Sequence, residues 1–75
     1  MALPELEILL EALLLAAGEP LTLDRLLDTF PEAERPAREA VRAALGKLAA
    51  DYAGRGMELV EVASGFRLQV PKIFA

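Results

Sequence analysis

The chain has 75 residues, 55% of them hydrophobic, and a formal net charge of −4. This length fits one small domain, and so high an apolar fraction excludes a mainly disordered chain. The absence of cysteine and histidine excludes disulfides, thiolate metal sites and the commonest general base, and the negative charge argues against a free-standing nucleic-acid-binding domain.

The first predicted element is a helix over residues 4–17, which Gly18 ends. Glu7 and Glu11 mark its predicted solvent side. Apolar residues at helical spacing form its predicted buried face: Leu6, Leu9, Leu10, Leu13, Ala16 and Ala17.

Two further helices are predicted after the first. Thr22 is the expected N-cap of a short helix over about residues 23–29, which ends because Pro31 disfavours helix at the residue before it. Pro36 begins a long third helix. Gly46 lowers the stability of this helix by about 1 kcal/mol relative to alanine. Close packing of another helix explains the presence of a glycine there better than a hinge does. One stripe of the third helix has the spacing of a buried face: Val41, Ala44, Leu45, Leu48 and Tyr52.

Strand periodicity appears in two segments after the third helix, over residues 57–62 and 66–70. A two-residue loop of Ser64 and Gly65 would place Glu61 opposite Leu68. A three-residue loop instead pairs Glu61 with Arg67 and apolar residues with one another, as in Val62 with Phe66. We therefore predict the three-residue loop, with its last residue, a glycine, in a left-handed conformation.

The order helix, helix, helix, hairpin predicts a winged helix-turn-helix, a mainly α fold with three helices and a two- or three-stranded wing. A short strand near residues 20–21 would supply the third strand. The predicted core residues are Leu9, Leu13, Leu26, Val41, Leu45 and Leu48.

Enzymatic, cofactor and membrane functions find no support in the sequence. Ser64 is the only serine and lies in a predicted turn without a nearby base, so we predict neither enzymatic activity nor a cofactor or metal. The longest apolar run covers residues 12–17, whereas a membrane helix needs about 20 residues. The N-terminus also lacks the basic start of a signal peptide, so we expect a cytoplasmic protein.

Two segments of the chain resemble the bacterial segregation and condensation protein B family. Residues 11–21, EALLLAAGEPL, resemble its first-helix signature, and residues 52–69 contain the strings RGMELVEV and GFRLQ. The resemblance implies an accessory subunit of the SMC–kleisin complex, which compacts and segregates bacterial chromosomes. It also implies two winged-helix domains in tandem, the first mainly for self-association and the second largely for binding the kleisin, segregation and condensation protein A.

On this resemblance, residues 1–71 form the first winged-helix domain and residues 72–75 begin the linker to a second domain absent from the chain. We therefore expect a non-enzymatic interaction domain that acts in chromosome partition, in the cytoplasm at the nucleoid. The full-length protein would contact the kleisin and SMC subunits.

The first helix carries more apolar residues than one buried face can hold. Ile8 and Leu15 lie one heptad apart on one flank, and Leu14 lies on the other flank. We interpret these three residues as a homodimer surface, although another element such as the hairpin could cover them.

Arginines give the third helix a second candidate surface. Arg35, Arg38 and Arg42 recur at helical spacing on the element that reads DNA in winged-helix regulators, and Arg67 lies on the predicted wing. The chain is polarised, since residues 1–33 carry one basic and seven acidic groups. These arginines are therefore candidates for contact with nucleic acid or a partner protein.

A solvated helix face is the simpler explanation of the arginines. Glu34 and Glu39 can pair with Arg38 and Arg42 at helical spacing. Because this small number of arginines can neutralise only a few phosphates, we expect DNA binding to be weak and non-specific at most. The alternative function is a DNA-binding winged-helix transcriptional regulator, which the arginines favour and the net charge does not.

Overall fold

The computed structural model describes residues 6–74 and confirms the predicted order of three helices and a hairpin. The predicted start of the first helix at residue 4 lies outside the described residues. Single turns of 3₁₀ helix occur at Glu32–Glu34 and Lys72–Phe74. The main elements are α1 (Leu6–Ala17), α2 (Leu23–Asp28), α3 (Arg38–Tyr52), β1 (Glu58–Val62) and β2 (Gly65–Gln69).

Capping residues set the limits of the second and third helices. The Thr22 hydroxyl accepts a hydrogen bond of 3.1 Å from the backbone N–H of Arg25, which confirms the predicted N-cap of α2. The helix α3 begins at Arg38, two residues later than predicted, because Ala37 has an extended backbone (ψ 151°) and is the N-cap. Pro36 therefore precedes the helix.

The core lies between the three helices, and the hairpin covers one side of it. Leu26, Val41, Leu45 and Leu48 are buried as predicted. Leu9 is 37% exposed, so its predicted place in the core is wrong. The buried apolar residues are Leu10, Leu14, Leu21, Leu23, Leu26, Leu27, Val41, Ala44, Leu45 and Leu48.

The helix α1 is rotated about its axis relative to the prediction, and it buries Leu10 and Leu14. Glu7 and Glu11, taken as the solvent side, in fact contact α3. The Glu7 carboxylate lies 2.9 Å from the Lys47 ammonium and is only 17% exposed. The Tyr52 hydroxyl donates a hydrogen bond to the Glu11 carboxylate. With α1 in this orientation Leu10, a member of the predicted buried face, and Leu14 are buried, while the predicted core residue Leu13 packs against the core and is only partly buried.

The hairpin adopts a register that differs from both of the registers considered above. Val62 lies opposite Gly65 and Leu59 lies opposite Leu68, so the loop consists of two residues, Ala63 and Ser64. The predicted pairs of Val62 with Phe66 and Glu61 with Arg67 are therefore wrong. In the observed register the side chains of Leu59, Phe66 and Leu68 share one face and pack against the core. Core packing thus outweighs the matching of polarity across the hairpin.

A single bridge replaces the predicted third strand of the wing. The backbone groups of Leu21 and Phe66 exchange two hydrogen bonds, of 2.9 and 2.8 Å. Gly65 has a φ of +130°; the positive sign agrees with the prediction, but the residue is the first of β2 and the predicted three-residue loop that it was to end is not formed. A Cβ atom at Gly65 would lie 2.4 Å from the carbonyl carbon and oxygen of Leu21. The glycine therefore permits the close contact that docks the wing.

Candidate interaction surfaces

One face of α1 is apolar and open to solvent. Ile8 and Leu15, predicted to be exposed, have 55% and 54% of their surface accessible. Leu14 is 4% exposed, so its predicted place on the surface is wrong, because the rotation of α1 brings it into the core. Successive residues of an α-helix are rotated by about 100° around the helix axis, so the exposed apolar residues of α1 lie within an arc of about 120° around that axis. We call this set the α1 patch: Ile8, Leu9, Ala12, Leu15 and Ala16.

The two polar contacts between α1 and α3 determine which way the α1 patch points. Because Glu7 and Glu11 are held by Lys47 and Tyr52, the opposite side of α1 faces solvent. The heptad spacing of Ile8 and Leu15 was visible in the sequence. Leu9 and Ala16 were missed as surface residues, since the prediction placed both on the buried face of the helix.

The predicted arginine stripe is not continuous along α3. Arg35 lies before the helix, where its guanidinium donates to the Phe30 carbonyl at 3.4 Å and lies 3.9 Å from the Asp28 carboxylate. Arg38 forms an ion pair with Asp24 of α2 rather than with Glu34, the partner suggested by helical spacing. The acidic partners lie in α2 or its C-terminal end, which sequence spacing could not show.

Arg42 and Arg67 lie apart from these ion pairs. Arg67 is exposed on the outer face of the hairpin and donates a hydrogen bond of 2.8 Å to the Gln69 side chain. Arg42 is exposed on α3, and no described residue forms an ion pair with it, so the suggested pair with Glu39 is not formed. The four candidate arginines thus have four different surroundings.

The exposed face of α3 is poor in side chains that could read DNA. Base edges are read by long polar side chains such as arginine, asparagine and glutamine. The corresponding solvent-exposed positions here include a row of small residues: Ala40, Ala43, Gly46 and Ala50. This row of α3 offers no side chain that could hydrogen-bond to a base edge, and the long basic side chains exposed on the described part of the helix are Arg38, Arg42 and Lys47.

Two further types of site are absent from residues 6–74. In this part of the chain, histidine, cysteine, aspartate and glutamate residues form no group of three or more that could hold a metal ion. Nor does any helix in this range have both the length and the apolar character needed to cross a bilayer.

Three helices followed by a hairpin that packs against them define a winged helix-turn-helix domain. The family model described as "Segregation and condensation complex subunit ScpB" matches residues 8–75. The chain therefore belongs to the ScpB family, which confirms the resemblance seen in its sequence.

A curated relative and two solved structures are similar to the chain. The segregation and condensation protein B homolog of Coxiella burnetii is 41% identical over 69 residues, which cover 92% of this chain and 33% of the relative. The chain thus spans about a third of the length of that relative. The crystal structure of ScpB from Mycobacterium tuberculosis has a TM-score of 0.79 and 32% identity, covering 99% of this chain and 46% of that one.

The second solved structure is described as a dimer of the ScpB N-terminal domain complexed with an ScpA peptide. It has a TM-score of 0.75 and 28% identity, and the match covers 89% of this chain and 76% of that one. In that relative the N-terminal domain itself meets the ScpA peptide. The expectation that the kleisin contact lies largely in the second domain stays a prediction.

Proposed function

We propose that this chain is the first winged-helix domain of an ScpB-type subunit and acts by self-association and by binding an ScpA-type kleisin. It contributes no enzymatic step and works in the cytoplasm at the nucleoid, in a complex that includes an SMC protein. In this proposal residues 72–75 begin the linker to a second winged-helix domain. The observation that carries it is the exposed α1 patch in a chain of this family.

The α1 patch supports self-association on energetic grounds. Full burial of an isoleucine or leucine side chain stabilises by about 1.5–3 kcal/mol, and Ile8 and Leu15 are both about half exposed. Two copies related by a two-fold axis would bury the same patch twice. Such an interface is small, so we expect the dimer to dissociate on dilution.

One of the two solved relatives supports both kinds of contact. The ScpB N-terminal domain that resembles this chain is described as a dimer complexed with an ScpA peptide. A domain of the same fold and family therefore combines self-association with peptide binding.

The alternative of a DNA-binding transcriptional regulator is not favoured. Arg35 and Arg38 lie beside carboxylates within the chain, and phosphate binding would have to displace these carboxylates. The net charge of −4 opposes DNA at long range. The family match also assigns the chain to a segregation and condensation subunit.

The α1 patch can be tested by a double substitution, Ile8→Glu with Leu15→Glu. We expect this variant to retain the circular dichroism spectrum of the wild type and to sediment as a monomer, because it places four carboxylates in a two-fold interface. The matched control is Ala43→Glu with Ala50→Glu, which adds two carboxylates at the same heptad spacing on exposed positions of α3. The control should sediment as the wild type does.

Two outcomes would contradict this assignment. A folded double variant that still sediments as a dimer would place the interface elsewhere. A wild-type chain that remains monomeric at the highest accessible concentration would remove self-association from the function of this domain.

A further inference from the structure

A groove runs between α3 and the outer edge of β1. It consists of two cavities, of about 260 and 440 Å³, that share Ala49 and Leu59 among their lining residues. Leu45 and Phe66 add apolar surface to the first cavity, and Met57 adds it to the second. We call this feature the α3–β1 groove.

The β1 side of the groove is an unpaired sheet edge. The backbone N–H and C=O of Phe66 bond to Leu21 and so point away from β1. Glu61 lies opposite Phe66, so its own N–H and C=O point away from β2. Because this direction alternates along an antiparallel ladder, the N–H and C=O of Leu59, two residues earlier, point the same way. Among the described residues, no backbone or side-chain group forms a hydrogen bond with these groups. Such an edge can accept an additional strand.

The α3 side of the groove contains Gly46, whose predicted role is not supported. An added Cβ atom at Gly46 would find no atom within 4 Å, so no neighbouring helix of this chain explains the glycine. An exposed glycine within a helix costs about 1 kcal/mol relative to alanine. The missing side chain instead leaves space in the groove directly opposite the open edge of β1.

Charges along the groove distinguish between possible occupants. Arg42 and Arg55 lie on the α3 side, Glu58 and Glu61 lie on β1, and none of the four forms an ion pair with a described residue. If a second copy of the chain paired antiparallel along the whole of the same edge, Glu61 of each copy would lie opposite Leu59 and Glu58 opposite Val62, so neither glutamate would gain a charged partner. A segment with basic residues opposite the glutamates is favoured instead.

We propose that the α3–β1 groove binds an extended segment of the ScpA-type kleisin, which adds as a strand to the outer edge of β1. The inference rests on the proposed function and specifies its peptide-binding surface. A strand rises about 3.3 Å per residue, so a segment of about five residues matches the length of β1. Alternate side chains of this segment contact the apolar floor of the groove, and basic residues of the segment pair with Glu58 and Glu61.

Substitution of Gly46 provides the main test. Gly46→Gln places a long side chain in the groove and restores helix propensity, so the free protein should become at least as stable as the wild type. Its affinity for the purified ScpA-type kleisin of the same organism, measured by isothermal titration calorimetry, should fall by about tenfold or more because the groove is obstructed. Ala43→Gln, at an exposed position outside the groove, should bind within about twofold of the wild type.

Amide hydrogen exchange supplies a second measurement on the same complex. On kleisin binding, we expect the amides of Leu59 and Glu61 to gain protection, because they would become hydrogen-bonded to the added strand. The amide of Leu68 faces the opposite edge of the hairpin and should not change. The two sets of amides therefore distinguish strand addition at β1 from binding at the other edge.

The outcomes separate this inference from the proposed function. Kleisin that binds the wild type and Gly46→Gln equally, without protecting Leu59 and Glu61, would contradict the groove while leaving the proposed function intact. Kleisin that does not bind the wild-type chain would contradict the binding part of the proposed function itself. Loss of affinity in Gly46→Gln together with protection of the two amides would support both.

Discussion

Gly65→Ala is expected to destabilise the domain by about 3 kcal/mol or more, one of the largest effects for any single substitution in this chain. Two costs contribute. The φ of +130° is one that residues with a side chain rarely adopt, and the new Cβ atom would lie 2.4 Å from backbone atoms of Leu21. Because a backbone cannot move aside as a flexible side chain can, the bridge between Leu21 and Phe66 must separate.

Urea denaturation followed by circular dichroism measures this effect. The control is Gly56→Ala, where the glycine has no positive φ and an added Cβ meets no atom within 4 Å. We expect the control to unfold at the same urea concentration as the wild type, or at a slightly higher one. Equal midpoints for Gly65→Ala and the wild type would show that the wing does not depend on this close contact.

Leu10→Ala is the second substitution with a large expected effect, a loss of about 2–5 kcal/mol in the free energy of unfolding. Leu10 is completely buried between the helices, so truncation would leave a cavity in the core. A loss of this size is a large share of the stability of so small a domain. Leu9→Ala is the matched control, because the adjacent leucine is partly exposed and should cost about 1 kcal/mol or less.

The pair also tests the orientation of α1. Leu9 and Leu10 both belong to the predicted buried face, and Leu9 was placed in the core, but only Leu10 is buried in the structure. If Leu9→Ala were the more destabilising of the two, the helix would be rotated as first predicted, and the α1 patch would no longer face solvent as described.

The parts of the fold that the sequence predicted depend on local signals. The cap at Thr22 depends on groups at most three residues away. The order of the elements follows from changes of hydrophobic period and from the glycines and prolines between segments. Such features can be predicted without knowledge of which elements meet in space.

The orientation of α1 depends on contacts that are distant in sequence. Leucine and alanine occupy so many of its positions that hydrophobic periodicity selects no single buried face. The selection comes from the bonds of Glu7 and Glu11 to Lys47 and Tyr52, residues 40 and 41 positions further along the chain. In the sequence, both glutamates have the pattern of a solvated helix start.

The hairpin register was missed for a similar reason. Matching polarity across the two strands favoured Val62 opposite Phe66, whereas packing requires Leu59 and Phe66 on the same face. The contact of Gly65 with Leu21 adds a constraint that no local pattern contains.

The candidate surfaces were predicted in part. The exposure of Ile8 and Leu15 followed from their heptad spacing, and self-association through them remains a proposal. The carboxylates beside Arg35 and Arg38 lie at the end of α2 or within it and could be located only once the helices were packed. The α3–β1 groove was not predicted, because its open edge depends on the observed register.

The central claim is that this domain acts through protein contacts in a chromosome segregation complex. The most direct test is sedimentation of the chain with the purified ScpA-type kleisin of the same organism, in the presence of a labelled DNA duplex at physiological salt. We expect one complex that contains two copies of this chain and the kleisin, with the duplex sedimenting separately. Separate sedimentation of chain and kleisin, with the chain bound to the duplex, would contradict the claim and favour the DNA-binding regulator.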